Sequence, residues 1–289
     1  MYWRDMFPHF SRKEIVKLQF SSRFLVNAIE KVKPAQLHII ENLYIRKSPS
    51  RIKFATCKKD HIGNCHLTHI AEFCPPNYVR FSDVTMSPIM DADFLQLLKT
   101  HKSVFSGCKL LMMPISIDEE SANKAFTTLM DDVFTECQLI VLNLHKWNLA
   151  SQLNICAFSG VKNCDILHMV TDEMVFSAED PLLESMFQWL HSNPRSGKKE
   201  LVLLNFGGCE SLLRKLMQRF NDDVEPHCYG FSVNNLNEDF FNEFLNYSSS
   251  NSTTQEELIG HWIPDDNESG FDFHLYRVST KLLSEKNNL

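Results

Sequence analysis

The chain has 289 residues, 44 % of them hydrophobic, which is enough for a sizeable core in one large domain or two modest ones. No apolar run is long enough to cross a bilayer, and the first ten residues contain no signal-peptide core, so neither a membrane protein nor a secreted one is expected. Nine cysteines without an export signal predict reduced thiols and a cytoplasmic or nuclear location.

Charge is unevenly distributed along the chain. Residues 1–60 contain 13 Lys/Arg and 5 Asp/Glu, whereas the remainder contains 16 and 31. Such asymmetry indicates two regions with different partners. The basic region contains no zinc finger or RNA-binding motif, so no nucleic-acid partner is expected.

The first predicted element is a helix within HFSRKEIVKLQFSSRF. Ser11 and Glu14 fit a capping box, and Phe10 and Ile15 fit the hydrophobic staple that accompanies it. Pro34 ends the helix, because proline cannot continue it. The apolar stripe at helical spacing consists of Ile15, Leu18, Leu25 and Ile29.

Strand-like runs follow the helix. Three short ones cover residues 37–45, 51–56 and 78–86. Four more recur roughly every 27 to 35 residues, a period typical of repeat architectures. These four begin at Cys108, Cys137, Cys164 and Lys199, and the second and last nearly repeat each other as LIVLNL and LVLLNF.

Helical patterns separate the recurring strands. The predicted helices cover Asp118–Phe134, the residues after the Asp180–Pro181 cap, Ser211–Phe220 and Asn237–Phe244. The alternation predicts an α/β fold and favours an irregular solenoid that resembles a leucine-rich repeat. A non-repeating α/β domain is the alternative.

The end of the chain has a different pattern. Tyr247–Gln255 is polar and is predicted to be a loop. Two β-like runs, Glu257–Ile263 and Phe271–Ser279, flank a turn-rich segment. They predict a terminal β-hairpin that caps the array.

One segment has the residue types of a zinc site. Cys57, His61, Cys65 and His69 recur every four residues, and thiolates and imidazoles are zinc ligands. On one helix these positions would spread along a face rather than converge. A loop and a short helix with buried thiols is therefore favoured over a zinc centre, and no metal or other cofactor is predicted.

A second segment, NFGGCESLLRKL, has the order strand, glycine pair, helix. It matches neither phosphate-binding glycine pattern, so Gly207 and Gly208 predict a tight turn. Cys209 lies at a helix start, where thiolates are stabilised, but no family signature supplies a base for it. Cys108, Cys137 and Cys164 share one slot of the repeat, which indicates packing. The chain is therefore not expected to be an enzyme.

The stretch MFPHFSRKEIVKLQFSSRFLVNAIEK resembles the C-terminal part of an F-box, without the family's first helix. Met6-Phe7 stand at the motif's apolar pair, and Glu14-Ile15 and Leu18 follow in register. Segments further on, among them FCPPNYVRFSDVTMS, FSAEDPLLESMFQWL and FHLYRVST, resemble the substrate domain of the expanded nematode F-box proteins. The resemblance implies a small helical F-box-like module over residues 1–34 and an F-box-associated domain over residues 35–289.

By this resemblance, the chain is the substrate-recognition subunit of a cullin-based ubiquitin ligase. It would dock on a Skp-type adaptor, bind a protein target and perform no bond chemistry itself. The expected adaptor contacts are Phe7, Pro8, Phe10, Ile15, Leu18 and Leu25. A stand-alone interaction module, or a zinc- or cysteine-dependent enzyme, is the alternative.

The target is expected at the exposed edge of the strands. Strand alternation suggests Asn143, His145, Trp147 and Asn205 as contact residues. The alternative is that Trp147 and the two asparagines hold neighbouring strands together.

Overall fold

The computed structural model describes fourteen ranges and residue 236 between residues 38 and 280. The ranges are 38–48, 51–55, 61–65, 79–86, 92–100, 102–105, 108–115, 126–144, 154–177, 180–195, 197–234, 238–244, 247–264 and 271–280. The predicted F-box-like helix and its six adaptor contacts lie outside the described residues. The chain divides into two compact units, Met1–Pro114 with Glu120–Cys137 and Ile115–Glu119 with Gln138–Leu289.

Five strands of the first unit are described. They are β1 (His38–Ser48), β2 (Arg51–Ala55), β3 (His61–Cys65), β4 (Val79–Met86) and β5 (Leu110–Ile115). Strands β1, β4 and β5 are parallel neighbours, and β2 and β3 extend the sheet beyond β1 in antiparallel fashion. The three short strand-like runs predicted before residue 90 are therefore confirmed.

Strand β3 corrects one prediction. The favoured interpretation of the Cys57–Cys74 segment was a loop and a short helix, but His61–Cys65 pairs with β2 as a strand. The neighbouring Cys57 and His69 lie outside the described residues. The spacing of four residues between His61 and Cys65 therefore does not reflect a helix, because these residues form a strand that pairs with β2.

Helical segments cover part of the first unit. Helix α1 (Ala92–Thr100) is linked to the next helical segment by an ion pair of 2.8 Å between Lys99 Nζ and Asp132 Oδ2. The helix predicted over Asp118–Phe134 is described from residue 126, and its end is a π-helical turn, Leu129–Val133. The Phe134 ring packs against Phe105 at 5.2 Å between ring centroids, which closes the local core.

The second unit is built on a mixed sheet of parallel and antiparallel strands. Strands β6 (Leu139–Leu144), β7 (Ile166–Val175), β8 (Lys199–Gly207) and β9 (Tyr229–Val233) are parallel, and each pairs with the next. Three antiparallel strands continue the sheet beyond β9 in the order β12 (Phe271–Ser279), β11 (Glu256–Pro264) and β10 (Ser248–Asn251). The predicted α/β class and the antiparallel pairing of the last two runs are confirmed.

Two strands of the second unit, β9 and β10, were not predicted from the sequence. Strand β9 is only five residues long, and all five are buried. Strand β10 lies within the predicted loop Tyr247–Gln255, so the loop prediction is wrong for these residues. Asn251 fixes β10, because its side-chain amide donates to the carbonyls of Phe220 at 2.7 Å and Asp223 at 3.0 Å.

Four helices of the second unit are described, and they follow the sequence signals closely. They are α2 (Ser159–Asn163), α3 (Pro181–Leu190), α4 (Glu210–Asp222) and α5 (Glu238–Glu243). Asp180 caps α3 as predicted, since its carboxylate accepts the Leu182 N–H at 2.9 Å. Trp189 of α3 donates its indole N–H to the Val161 carbonyl of α2 at 2.7 Å, so the two helices are joined. None of the described helices is long and apolar enough to cross a membrane.

Five of the described cysteines are buried and act as packing residues. Cys108, Cys137 and Cys164, which share one slot of the repeat, are all buried, and this confirms the packing prediction. Burial raises the pKa of the Cys156 and Cys164 thiols to about 12 and also raises the pKa of Cys209. These thiols therefore stay protonated near neutral pH. The described part of the chain contains no group of three metal-ligating side chains.

A buried ion cluster fixes the antiparallel end of the sheet to α4. The Arg277 side chain on β12 is fully buried, and it donates to Glu256 of β11 at 2.8 Å and 3.0 Å and to Asp223 after α4. The Phe220 and Tyr229 rings flank the guanidinium. Burial opposes the charge, but the hydrogen bonds to the two carboxylates raise the pKa of Arg277.

Replacing Arg277 should therefore be costly. Arg277→Met leaves the buried Glu256 without its cation and leaves the buried Asp223 with only the exposed Arg219, and we expect the free energy of unfolding to fall by about 3–5 kcal/mol. Arg219→Met is the matched control, because Arg219 pairs with the same Asp223 at 2.7 Å but is 57 % exposed. It should cost about 1 kcal/mol or less. Urea unfolding followed by circular dichroism measures both, and equal losses would contradict the assigned role.

Candidate partner-binding face

The sheet of the second unit is one-sided. Along most of its strands, buried side chains alternate with more exposed ones, as in β6, where Ile140, Leu142 and Leu144 are buried and the residues between them are not. Strand β9 is the exception, because all five of its residues are buried. The buried set packs against the helices. The other set forms what we call the open face, which extends across β6, β7, β8, β9, β12 and β11.

Register places the open-face residues in rows across the strands. The central row consists of Val141, His168, Val202, Ser232, His274 and His261. The neighbouring row consists of Leu139, Ile166, Glu200, Gly230, Tyr276 and Ile259. The open face therefore combines branched apolar side chains with three histidines and a hydroxyl in a single row.

A hydrogen-bonded cluster lies at the centre of this face. The Ser232 hydroxyl is 2.7 Å from His274 Nδ1, and the Tyr276 hydroxyl is 3.2 Å from the same nitrogen. Because a hydroxyl can donate a hydrogen bond, both contacts are favourable when His274 Nδ1 is the acceptor. The neutral ring then carries its proton on Nε2, which supplies a hydrogen-bond donor to the open face.

The Ser232–His274 pair also resembles a nucleophile with its base. However, Ser232 is only 6 % exposed, and β9 is paired with a strand on each side. The backbone N–H groups beside Ser232 are hydrogen-bonded to the neighbouring strands. They are therefore not available to stabilise an oxyanion, which acyl transfer would require. The geometry therefore favours a structural and binding role for the pair over acyl transfer.

A lysine crosses the face beside this cluster. Lys198 Nζ is 3.1 Å from Glu200 Oε2 and 5.2 Å from the centroid of the Tyr276 ring. Gly230 lies beneath it, and a Cβ there would be 3.3 Å from Lys198 Cε and from Tyr276 Cδ1. The glycine therefore leaves the room that the lysine needs to span β9.

Two histidines of the open face, His168 and His274, carry little charge near neutral pH. Burial lowers the pKa of His168, although Glu200 opposes the shift. Burial also lowers the pKa of His274, against the opposing effect of Asp272 and Glu200. Both rings are therefore neutral at pH 7 and present hydrogen-bonding groups rather than charge.

Polar side chains join the ends of the parallel strands. The Thr171 hydroxyl donates to the Leu144 carbonyl at 3.2 Å, and the Asn205 amide donates to the Thr171 carbonyl at 3.0 Å. The Asn205 N–H donates to the Asn234 side-chain oxygen at 2.6 Å. Asn205 has a φ of 65°, a left-handed conformation that asparagine tolerates better than most residues.

Of the four predicted target contacts, the two that are described, Asn143 and Asn205, are not brought together. Asn143 is half-buried on the open face, whereas Asn205 is exposed at the end of β8, and β7 lies between their strands. His145 and Trp147 lie outside the described residues. The contacts of Asn205 fit the alternative of a residue that joins strands, and a role in target binding stays a prediction for both asparagines.

Sequence reasoning missed the central row of the open face. His168, Ser232 and His274 lie on three separate strands, and Ser232 and His274 are 42 residues apart in sequence. Only the register of the strands brings the three residues into one row. The alternation of FHLYRV, with His274 and Tyr276 on one side, was the available signal.

No protein-family model matches the sequence, and no curated protein or solved structure is significantly similar to the chain.

The histidines make stability depend on pH. Burial lowers the pKa of His168, His191 and His274 from the ordinary value of 6.5. Below about pH 6.5 these three histidines are protonated more readily in the unfolded chain than in the folded chain. The free energy of unfolding therefore falls as the pH decreases. Urea unfolding at about pH 7.5 and about pH 5.5 measures this loss.

The double variant His168→Gln, His274→Gln should show a smaller loss between the two pH values, because two of the three described histidines with lowered pKa values no longer titrate. Val141→Ile, in the same row of the open face, changes no titratable group, serves as the surface control and should leave the loss unchanged. An identical loss in wild type and in the double variant would contradict the assignment.

Proposed function

We propose that the chain is the substrate-recognition subunit of a cullin-based, SCF-type ubiquitin ligase. In this proposal the open face of the second unit binds a protein target, and the N-terminal F-box-like segment docks on a Skp-type adaptor. The observation that carries the proposal is the one-sided sheet, whose half-exposed face combines apolar side chains with histidine, serine and tyrosine. The sequence resemblance supplies the connection to the ligase.

The strand order supports a leucine-rich-repeat-like solenoid for the second unit. From β6 to β9, each parallel strand pairs with the next one in the chain. Right-handed crossovers in one direction place every connecting helix on the same face of the sheet. A doubly wound sheet would instead reverse its strand order and cover both faces. The solenoid arrangement leaves a face available for a partner.

The open face suits a protein better than a small molecule. It extends across six strands, which at about 4.8 Å per strand is roughly 24 Å between the outermost strands. Its rows present alternating apolar and hydrogen-bonding groups, as the central parts of protein interfaces do. Charge is limited, because Lys198 is paired with Glu200 and the rings of His168 and His274 are neutral.

The chain itself performs no bond chemistry in this proposal. It holds a target near the ubiquitin-charged conjugating enzyme, which raises the effective concentration of the two reactants. The adaptor would be bound by Phe7, Pro8, Phe10, Ile15, Leu18 and Leu25. The buried, protonated thiols of the described residues lend no support to a cysteine-dependent enzyme.

A stand-alone interaction module is the second candidate. The rows of the open face lie entirely within the second unit, so the face does not require an adaptor-binding segment to be formed. Adaptor binding therefore separates the two candidates.

Adaptor binding is tested with the purified full chain and a Skp-type adaptor. Wild type should form a complex, and Leu18→Asp should weaken it at least tenfold, because a carboxylate would be buried in an apolar contact. Gln19→Asp is the matched control, since it adds the same charge at a position outside the apolar stripe. Absence of a wild-type complex, or equal effects of the two substitutions, would overturn the ligase assignment.

Target binding is tested by comparing the proteins that co-purify with each variant in cells. Val202→Arg places a charge at the centre of the open face and should remove the target while the adaptor is retained. Leu18→Asp should remove the adaptor while the target is retained and accumulates. Asp239→Arg on α5 is the surface control and should change neither. Retention of every partner by Val202→Arg would show that the open face is not the target site.

A further inference from the structure

A polar groove lies between two helices on the opposite side of the sheet from the open face. Its volume is about 590 Å³, which is within the usual range for ligand sites. Helix α3 lines one wall and α4 the other, and the loop after α4 closes one end. The side chains that matter here are Phe187, His191, Lys215, Arg219, Asp222 and His227.

Two helix C-termini lie side by side at this groove. Helix α3 connects β7 to β8 and α4 connects β8 to β9, so both run opposite to the parallel strands. Their final residues, Leu190 and Asp222, therefore lie at the same edge. A helix C-terminus carries a partial negative charge, and the two ends together favour a cation there.

The cations near the groove already have partners. Lys215 pairs with Glu184, Arg219 Nε is 2.7 Å from Asp223 Oδ1, and Arg277 lies behind Asp223 in the buried ion cluster. Asp222 has no ion-pair partner within the described part of the chain. Near the groove there are therefore three cations and four carboxylates. Glu184, Asp223 and Glu256 are paired with the cations, and the unpaired carboxylate, Asp222, lines the groove.

Aromatic rings form the floor of the groove. The His191 ring centroid is 4.4 Å from that of Phe187 and 5.3 Å from that of His227. His191 Nδ1 donates to the Phe187 carbonyl at 2.9 Å, so the neutral ring has no proton on Nε2 and carries no charge. The Phe187 ring already holds one ammonium, because Lys215 Nζ lies 4.9 Å from its centroid.

We propose that this groove binds an alkylammonium or guanidinium group, such as the side chain of a lysine or arginine on a partner. The Asp222 carboxylate and the two helix C-termini attract the charge. The methylene stem lies along the half-exposed rings of His191 and His227, which line the groove. The site does not depend on the proposed ligase function, and the open face is free to bind a target while the groove is occupied.

The experiment is an NMR titration of the full chain that follows the imidazole signals of His191 and His227. N-acetyl-lysine methylamide and N-acetyl-arginine methylamide are the probes, and we expect both to shift the two signals in a saturable manner. The norleucine and glutamate derivatives are matched in size without the positive charge and should cause no saturable shift. Saturable binding of the glutamate derivative alone would overturn the proposal.

Two variants separate a built site from general attraction to an acidic chain. Asp222→Asn should weaken lysine binding about threefold, as expected for the loss of one partly exposed ion pair. Asp239→Asn removes the same charge from α5, which does not line the groove, and should leave binding unchanged. Equal effects of the two substitutions, or no effect of either, would overturn the site.

The source of the group is distinguished in the same assay. A lysine-containing peptide with flanking apolar residues that binds more tightly than the amino-acid derivative assigns the group to a protein partner. Equal affinity assigns it to a free amine. Failure of adaptor or target binding by the chain would leave these measurements unaffected.

Discussion

The buried Arg277 cluster is the constraint on which both surfaces of the second unit depend. Through Glu256 and Asp223 it ties β12 and β11 to the end of α4, and Asn251 adds β10 to the same point. Tyr276, the residue before Arg277, belongs to the open face because successive residues of a strand point to opposite sides. A single position along β12 therefore anchors the helix side and also aligns the Ser232–His274 cluster.

One-sided burial gives the sheet two unlike surfaces. On the helix side, charge is concentrated where α3 and α4 end, and cations lie over the rings of Phe187, Phe220 and Tyr229. On the open side, burial keeps His168 and His274 neutral, and Lys198 is paired. The two sides should therefore select partners by different physical terms, ion pairing on the first and apolar contact with directed hydrogen bonds on the second.

Local patterns predicted the strands and helices better than they predicted the sites. The Asp180 cap, the buried cysteine slot and the terminal strand pair each depend on neighbouring residues, and sequence alone was enough for them. Strands β9 and β10 were missed because tertiary contacts, rather than a long apolar run, create them. The open-face row required the register across six strands, which no single segment encodes. The repeat suggested equivalent positions for Asn143 and Asn205, but register places Leu204 in the row of Asn143.

Strand β10 has a consequence for self-association. It is the last strand in the described order of the sheet, and an edge strand presents backbone groups to which another chain can pair. Here the strand has only four residues, three of them serines, and Asn251 turns the chain immediately after it by accepting the Thr253 and Thr254 N–H groups. An edge strand this short and polar offers few backbone groups with which a strand of another chain could pair. It therefore protects this end of the sheet from edge-to-edge aggregation.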